Sequence, residues 1–215
     1  MGQRKAVTSI IITGVGGQGN VLAASLLASV ALAEGYEVTV GDVYGLTQRG
    51  GSVASHVRWT EGPPLPPLVP RHGLDILLAF EPLEALRVLT QFGREDMRSI
   101  VNVTPIVPIG VQTGRFQYPE ISRLGDVLRA LTGTLRLVDA TAVARRLGNI
   151  QVLNMVMLGA LFASGFINLR DEVFERTIVS TTPQKHLPIN QSAFRAGMEM
   201  MSRNPRHHLT GSEEP

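Results

Sequence analysis

The stretch Ser9-Ile10-Ile11-Ile12-Thr13-Gly14-Val15-Gly16-Gly17-Gln18-Gly19, followed by the Ala- and Leu-rich run Val21–Glu34, decides the fold. Ser9–Thr13 is short, β-branched and without polar alternation, the pattern of a strand buried on both faces. The glycines interrupt it. The run that follows consists of good helix formers and closes at Gly35, where a C′ glycine ends a helix. Strand, glycine turn and helix open a layered α/β domain. Gly14, Gly16 and Gly19 fit G-x-G-x-x-G in the right strand–turn–helix context. Glycine permits positive φ and close backbone approach, and a helix N-terminus offers free N–H groups to an anion. Gly14, Gly16, Gly17, Gln18 and Gly19 are therefore candidate cofactor-binding residues. The same glycines serve equally well as a tight turn and nothing more.

Outward from this unit, Glu37–Val40 reads as a second strand and Ser52–Trp59 as a third, alternating in character. Between them lies Gly41-Asp42-Val43-Tyr44-Gly45-Leu46-Thr47-Gln48-Arg49-Gly50-Gly51-Ser52. Asp42 stands near the spacing at which an acidic residue takes the ribose hydroxyls of a dinucleotide. Arg49, Gly50, Gly51 and Ser52 form a second anion-capable loop around a guanidinium. Arg49 in a surface or inter-subunit ion pair is the competing explanation. Two such loops at strand ends would face one crevice.

Thr60–Gly73 carries Pro63, Pro64, Pro66, Pro67 and Pro70 and is expected to be an extended connection. Beyond it, strands are expected at Leu74–Phe80, Ser99–Val103 and Leu135–Val138. Helices are expected near Leu83–Phe92, Thr141–Leu147, Val152–Ala163, Leu169–Ile178 and Pro188–Met201. The fold class is α/β: a three-layer, mostly parallel sheet with a Rossmann-like glycine-rich first strand–helix turn. A single domain is expected over residues 1–202, with a flexible tail over 203–215.

Composition narrows the function classes. The formal net charge is +2 and aromatics make up 5% of the chain, so no basic, aromatic-studded face for nucleic acid is evident. There is no cysteine among the 215 residues. Disulfides, thiolate-held zinc and iron–sulfur clusters within this chain are excluded, and a reducing cytoplasm is the expected compartment. The apolar run Val21–Ala33 is too short for a bilayer, Ile150–Ile167 is interrupted by Gln151 and Asn154, and Met1–Ala6 has no signal-peptide character. No membrane partner is expected.

Glu81 and Glu84 fit acid–base work or, more simply, the first turn of a helix; Asp139 fits a ligand contact or a helix cap. His56 is isolated on a strand and reads as structural. His72, His186, His207 and His208 show no metal spacing. Met155, Met157, Met198, Met200 and Met201 fit core or subunit interface. No catalytic residue and no metal set is assigned.

GVGGQG (Gly14–Gly19), a helix, and then DVYGLTQRGGSVASHVRW (Asp42–Trp59) resemble the gamma subunit or domain of the 2-oxoacid:ferredoxin oxidoreductases. The likeness continues through Asp75–Ala85, Asn102, Pro105, Pro108, Tyr118-Pro119, Asp139-Ala140, Gly148-Asn149, Asn154, Gly159-Ala160, Asn190, Phe194 and Gly197. The QRGGSV form of the Arg loop is nearest the small subunit of the indolepyruvate branch. Tyr44 departs from that branch, which usually has His before Gly45.

The resemblance implies oxidative decarboxylation of a 2-oxoacid on thiamine diphosphate with Mg, electron transfer through [4Fe-4S] clusters to ferredoxin, and coenzyme A as acyl acceptor. This chain has neither a thiamine-site motif nor cluster cysteines. The implied chemistry belongs to a large partner subunit, and the chain becomes an accessory subunit with coenzyme A as a possible contact at its two glycine loops. The alternatives are a stand-alone NAD(P)-binding oxidoreductase and a non-catalytic interaction module. The Val152–Ala163 helix, apolar around most of its circumference, is expected to need cover from a partner chain.

Overall fold

Nine residues rather than five form the first strand, β1 (Val7–Val15). It takes in Gly14 and Val15 because a neighbouring strand, β3 (Ser52–Thr60), pairs antiparallel along its whole length, from Val7↔Thr60 to Val15↔Ser52. The computed structural model describes residues 7–45, 51–106 and 117–203. The other strands are β2 (Glu37–Tyr44), β4 (Ile76–Ala79), β5 (Arg94–Asn102) and β6 (Thr132–Val138). They form one six-stranded sheet in the order β2-β3-β1-β4-β5-β6. β1–β4, β4–β5 and β5–β6 pair parallel; β3 pairs antiparallel with both neighbours. β2 therefore runs with the parallel set, and β3 alone is reversed among the described strands.

Helices cover both faces, giving three layers. On one face lie α1 (Asn20–Ala33), α4 (Ala140–Arg146), α5 (Leu153–Ala163), α6 (Asp171–Thr181) and α7 (Leu187–Arg203). They bury Ile10, Ile12, Val57, Trp59, Ile76, Leu78 and Ile100. On the other lie α2 (Pro82–Phe92) and α3 (Ile121–Ala130), over Ile11, Leu77, Ala79, Met97 and Val101. β1 and β4 feed both cores through alternate residues, which is why their sequence is continuously apolar.

The proline-rich connection is irregular, as its composition requires, and β3 side chains meet its backbone. Arg58 donates to the carbonyls of Pro66 (2.8 Å) and Leu68 (3.4 Å) and to Ser9 Oγ (3.2 Å). His56 Nδ1 accepts from Val69 N at 3.1 Å, and its ring meets Phe92 edge-on. Burial, the leading cause, pushes the His56 pKa down, as does Arg58, while Asp42 opposes. The histidine is a neutral structural acceptor, in line with its isolated place on a strand.

Helix α3 has no counterpart in the sequence expectations. Its interior Gly125 and the lack of a side-chain cap hide it, although Leu124 and Leu128 are four apart and both buried. The cover for α5 also corrects an expectation. Leu153–Leu161 are all buried, but by this chain's own α7 and sheet. A Cβ on Gly159 would lie 2.0 Å from the Phe194 carbonyl oxygen, and one on Gly197 2.0 Å from that of Val156. The two helices cross backbone against backbone, so an all-apolar helix is completed within the chain. Among the apolar positions left in the open are two on α1, Leu22 at 52% and Leu32 at 64% exposed.

Candidate functional site

In a parallel sheet the ligand crevice lies outside the carboxyl ends of the strands. Here that rim gathers the ends of β1 and β4, the starts of α1 and α2, and both described ends of the Arg loop. The turn from β1 to α1 has Gly17 at φ +103° and Gly19 at φ +83°, conformations that a side chain resists. Gly14 lies inside the strand, where a Cβ would meet Gln18 Oε1 at 2.6 Å and Asn20 Oδ1 at 2.8 Å.

The Gln18 side chain folds back into the turn. Its Oε1 accepts from Val15 N (2.7 Å), and its Nε2 donates to the Phe80 carbonyl (3.0 Å). Gly16 N donates to Gly51 O (2.8 Å), and Gln18 N donates to Val15 O (3.2 Å). Three N–H groups that a dinucleotide cradle would aim at a phosphate are thus held by the protein itself. What remains at the rim is the N-terminus of α1, which has no side-chain cap. Asn20, at its first position, is 3% exposed, and its Oδ1 has no hydrogen-bond partner among the described residues. Gly19 sits against Asn154, whose Nδ2 would be 2.8 Å from a Cβ there.

Gly51 and Ser52 reach the same rim. Beyond the Gly51–Gly16 bond, Gly45 N donates to Ser52 O at 2.8 Å, closing the base of the loop. Arg49 and Gly50 lie outside the described residues. Asp42 lies within β2, where Oδ1 accepts from Ser55 Oγ at 2.5 Å. The acidic residue that would mark a ribose site is thus hydrogen-bonded across the β2–β3 pair.

Two buried carboxylates complete the rim. Glu81, 1% exposed, caps α2: Oε2 accepts from Glu84 N at 2.9 Å. Its Oε1 accepts from Tyr118 OH (2.5 Å) and Ile106 N (3.3 Å). Burial raises the Tyr118 pKa far above the usual phenol range, and its bond to Glu81 and that residue's charge add to the rise. Tyr118 is therefore a permanent donor. Burial also pushes the Glu84 carboxyl up, a hydrogen bond from Ser52 and the charge of Arg87 oppose this, and Glu81 adds to the rise. Glu84 Oε2 is buried without a hydrogen-bond partner among the described residues.

Phe80 O also accepts from Asn102 Nδ2 (3.1 Å), which donates in turn to Thr141 Oγ1 (2.9 Å). One carbonyl thus links the glycine turn, β4, β5 and α4. Asp139 caps α4 through Ala142 N at 2.9 Å. Glu81 and Asp139 resolve as caps. The roles of Tyr118 and Asn102 escaped sequence reasoning because their partners lie 37 and 22 residues away.

This rim holds fixed dipoles, a half-exposed helix N-terminus and two buried acids. Glu81 is held in place by three donors, which fits it for shaping the rim. No helix among the described residues is long and apolar enough to cross a membrane.

Comparison with known proteins gives the kinship. Residues 9–200 match the family described as pyruvate ferredoxin/flavodoxin oxidoreductase. The indolepyruvate oxidoreductase subunit IorB of Thermococcus kodakarensis is 36% identical over 192 residues, covering 89% of this chain and 94% of the relative. The IorB subunit of Pyrococcus horikoshii is 35% identical with the same coverage. Among solved structures, the gamma subunit of a keto/oxoacid ferredoxin oxidoreductase from Geobacter sulfurreducens superposes with a TM-score of 0.66 at 22% identity, covering 91% of this chain and 99% of that one. A 2-oxoglutarate:ferredoxin oxidoreductase from Magnetococcus marinus, with 2-oxoglutarate, coenzyme A and succinyl-CoA bound, superposes with a TM-score of 0.71 at 18% identity. The match covers 93% of this chain and 32% of that longer one. These structures share the three-layer fold, and the family match spans nearly the whole sequence: the chain belongs to the pyruvate ferredoxin/flavodoxin oxidoreductase family.

Proposed function

We propose that the chain is the small accessory subunit of an indolepyruvate-type 2-oxoacid:ferredoxin oxidoreductase, whose carbon and electron chemistry resides on a larger subunit. The observation that carries this is the end-to-end likeness to IorB subunits, which covers 94% of the relative's length. Zero cysteine agrees with it, since a cluster needs ligands this chain lacks. Thiamine diphosphate, Mg and [4Fe-4S] clusters are then the large subunit's, and ferredoxin is the acceptor of the whole complex, working in the cytoplasm.

At the rim, the uncapped start of α1, with Gly17 and Gly19, and the Arg loop (Arg49 to Ser52) would receive a phosphate of coenzyme A. With Gln18 filling the inside of the turn, a phosphate would meet the α1 end from outside; helix N–H groups and the Arg49 guanidinium are the groups of this chain chemically suited to it. The stand-alone NAD(P) alternative loses its two supports, because the Val15 and Gly16 amides are taken and Asp42 bonds Ser55.

The test is steady-state kinetics of the reconstituted complex. Arg49→Ala is expected to raise the KM for coenzyme A roughly tenfold, the lower end of what a charge-assisted hydrogen bond contributes. The KM for the 2-oxoacid should hold. An unchanged coenzyme A dependence, with the complex dissociating instead, would make the loop an assembly contact. The isolated chain is expected to oxidise no arylpyruvate.

A further inference from the structure

The last strand of the sheet, β6, has an open side: no described strand pairs with it beyond β5. Beside it runs a groove of about 340 Å³, walled by Gly125 and Arg129 of α3 on one side and Met200 and Met201 of α7 on the other, with Arg136 and Leu137 as its floor. The groove therefore straddles the strand edge and reaches both faces of the sheet. β6 begins pressed against β5, where a Cβ on Gly133 would lie 1.9 Å from the Glu95 carbonyl oxygen, and the register shifts there. From Thr134 to Val138 the pairing to β5 is regular, and no described strand pairs with the outer side.

Two arginines on one face of β5 and β6 have no counter-charge among the described residues. Arg136 and Arg98, on adjacent strands, place their guanidinium carbons 5.0 and 5.3 Å from the ring centroid of Phe166. Both are partly buried, and neither makes a salt bridge with a described residue. Among the described residues, Arg136 donates to Met201 Sδ at 3.1 Å. The carboxylates nearby are committed: Asp126 bonds Arg129 at 3.0 Å, and Asp139 caps α4. Partly buried cations call for a carboxylate, and an open edge calls for a strand.

We propose that the β6 edge docks an extended acidic segment of the larger subunit, which adds as a seventh strand and sets a carboxylate against Arg136, beside Arg98. This rests on the assembly proposed above. Side chains directly opposite on neighbouring strands lie about 4.5–5.5 Å apart, and diagonal ones remain within reach of a long side chain. One acidic residue of the added strand can therefore meet Arg136, whose guanidinium shares the Phe166 ring with that of Arg98 on the next strand in. Main-chain bonds hold the strand, and the charge selects it. The same two cations repel a second copy of β6, which keeps the edge from pairing with itself.

The experiment co-expresses the full chain with its large subunit and measures assembly and backbone amide exchange. In the wild-type complex, the amides of Thr134–Val138 should exchange at least tenfold more slowly than in the isolated chain. The double variant Arg98→Glu/Arg136→Glu should weaken assembly at least tenfold while the isolated variant keeps its thermal transition. Equal exchange in chain and complex overturns the proposal without any variant. So does protection already present in the isolated chain, which would make residues 204–215, with Glu213 and Glu214, the occupant. A double variant that assembles normally but self-associates leaves the arginines as guards against self-pairing only. If the wild-type chain does not assemble with the large subunit at all, it is the subunit reading that has failed, and the proposal falls with it.

Discussion

Replacing Gln18 with alanine tests whether the glycine turn is held from within. The side chain accepts from Val15 N at 2.7 Å and donates to Phe80 O at 3.0 Å, and Val15 is 8% exposed. Removing it orphans a buried N–H, at a cost of roughly 1–3 kcal/mol. Phe80 O loses less, because Asn102 Nδ2 still donates to it at 3.1 Å. The turn is half open to water, which can enter and recover part of the loss. A net destabilisation of about 2 kcal/mol is expected, which for a chain of this size lowers Tm by roughly 4–8 °C. Thermal unfolding followed by circular dichroism measures it. The pair Gln18→Ala/Asn102→Ala should lose about 0.5 kcal/mol or more beyond the sum of the singles, because Phe80 O then has neither donor. A Tm change under about 1 °C for Gln18→Ala, or strict additivity of the pair, would refute the reasoning that the Gln18 amide occupies the turn.

Other perturbations probe the scaffold and the rim. Gly197→Ala places a Cβ 2.0 Å from Val156 O, so α5 and α7 must separate by more than an ångström; a loss of about 3 kcal/mol or more is expected in urea unfolding, and one under about 1 kcal/mol would contradict the backbone-to-backbone crossing. The folded-state pKa of His56 lies below its ordinary 6.5, so the unfolded chain binds more protons in that window. Stability should therefore fall as pH drops below 6.5 toward the folded value, and His56→Asn, which keeps an acceptor for Val69 N, should flatten this dependence in Tm-versus-pH scans. Tyr118→Phe removes a donor from the buried Glu81 carboxylate; about 1.5–3 kcal/mol should be lost at neutral pH, measured by the same unfolding assay, and an unchanged Tm would deny that the pair is formed.

The local grammar of the chain was readable residue by residue. Ile10–Ile12 marked the central strand, Gly35 ended α1 at φ +89°, and the prolines between Thr60 and Gly73 foretold irregular backbone. Glu81 read more simply as a helix cap than as an acid–base residue, and for Asp139 a cap stood level with a ligand contact; both are caps. These features depend on backbone conformation within a few residues. Helix α3 was missed because its interior glycine and absent cap remove the local cues, leaving only two buried leucines to define it. The expected need of α5 for a partner failed for a different reason: hydrophobicity around a helix demands cover but does not say which chain provides it.

By itself the sequence determined the alternation of elements, the family and the absence of cluster ligands, because periodicity, glycine spacing and residue inventory are properties of the chain order. Only the tertiary structure decided that β3 runs against its neighbours, that Gln18 occupies the turn a phosphate would otherwise use, and that Asp42 bonds Ser55 across the β2–β3 pair. It also brought Tyr118 to Glu81 and left Arg98 and Arg136 together beside an open edge. Each of these depends on which strands pair and in what register, and pairing joins residues tens of positions apart whose local sequence carries no mark of one another.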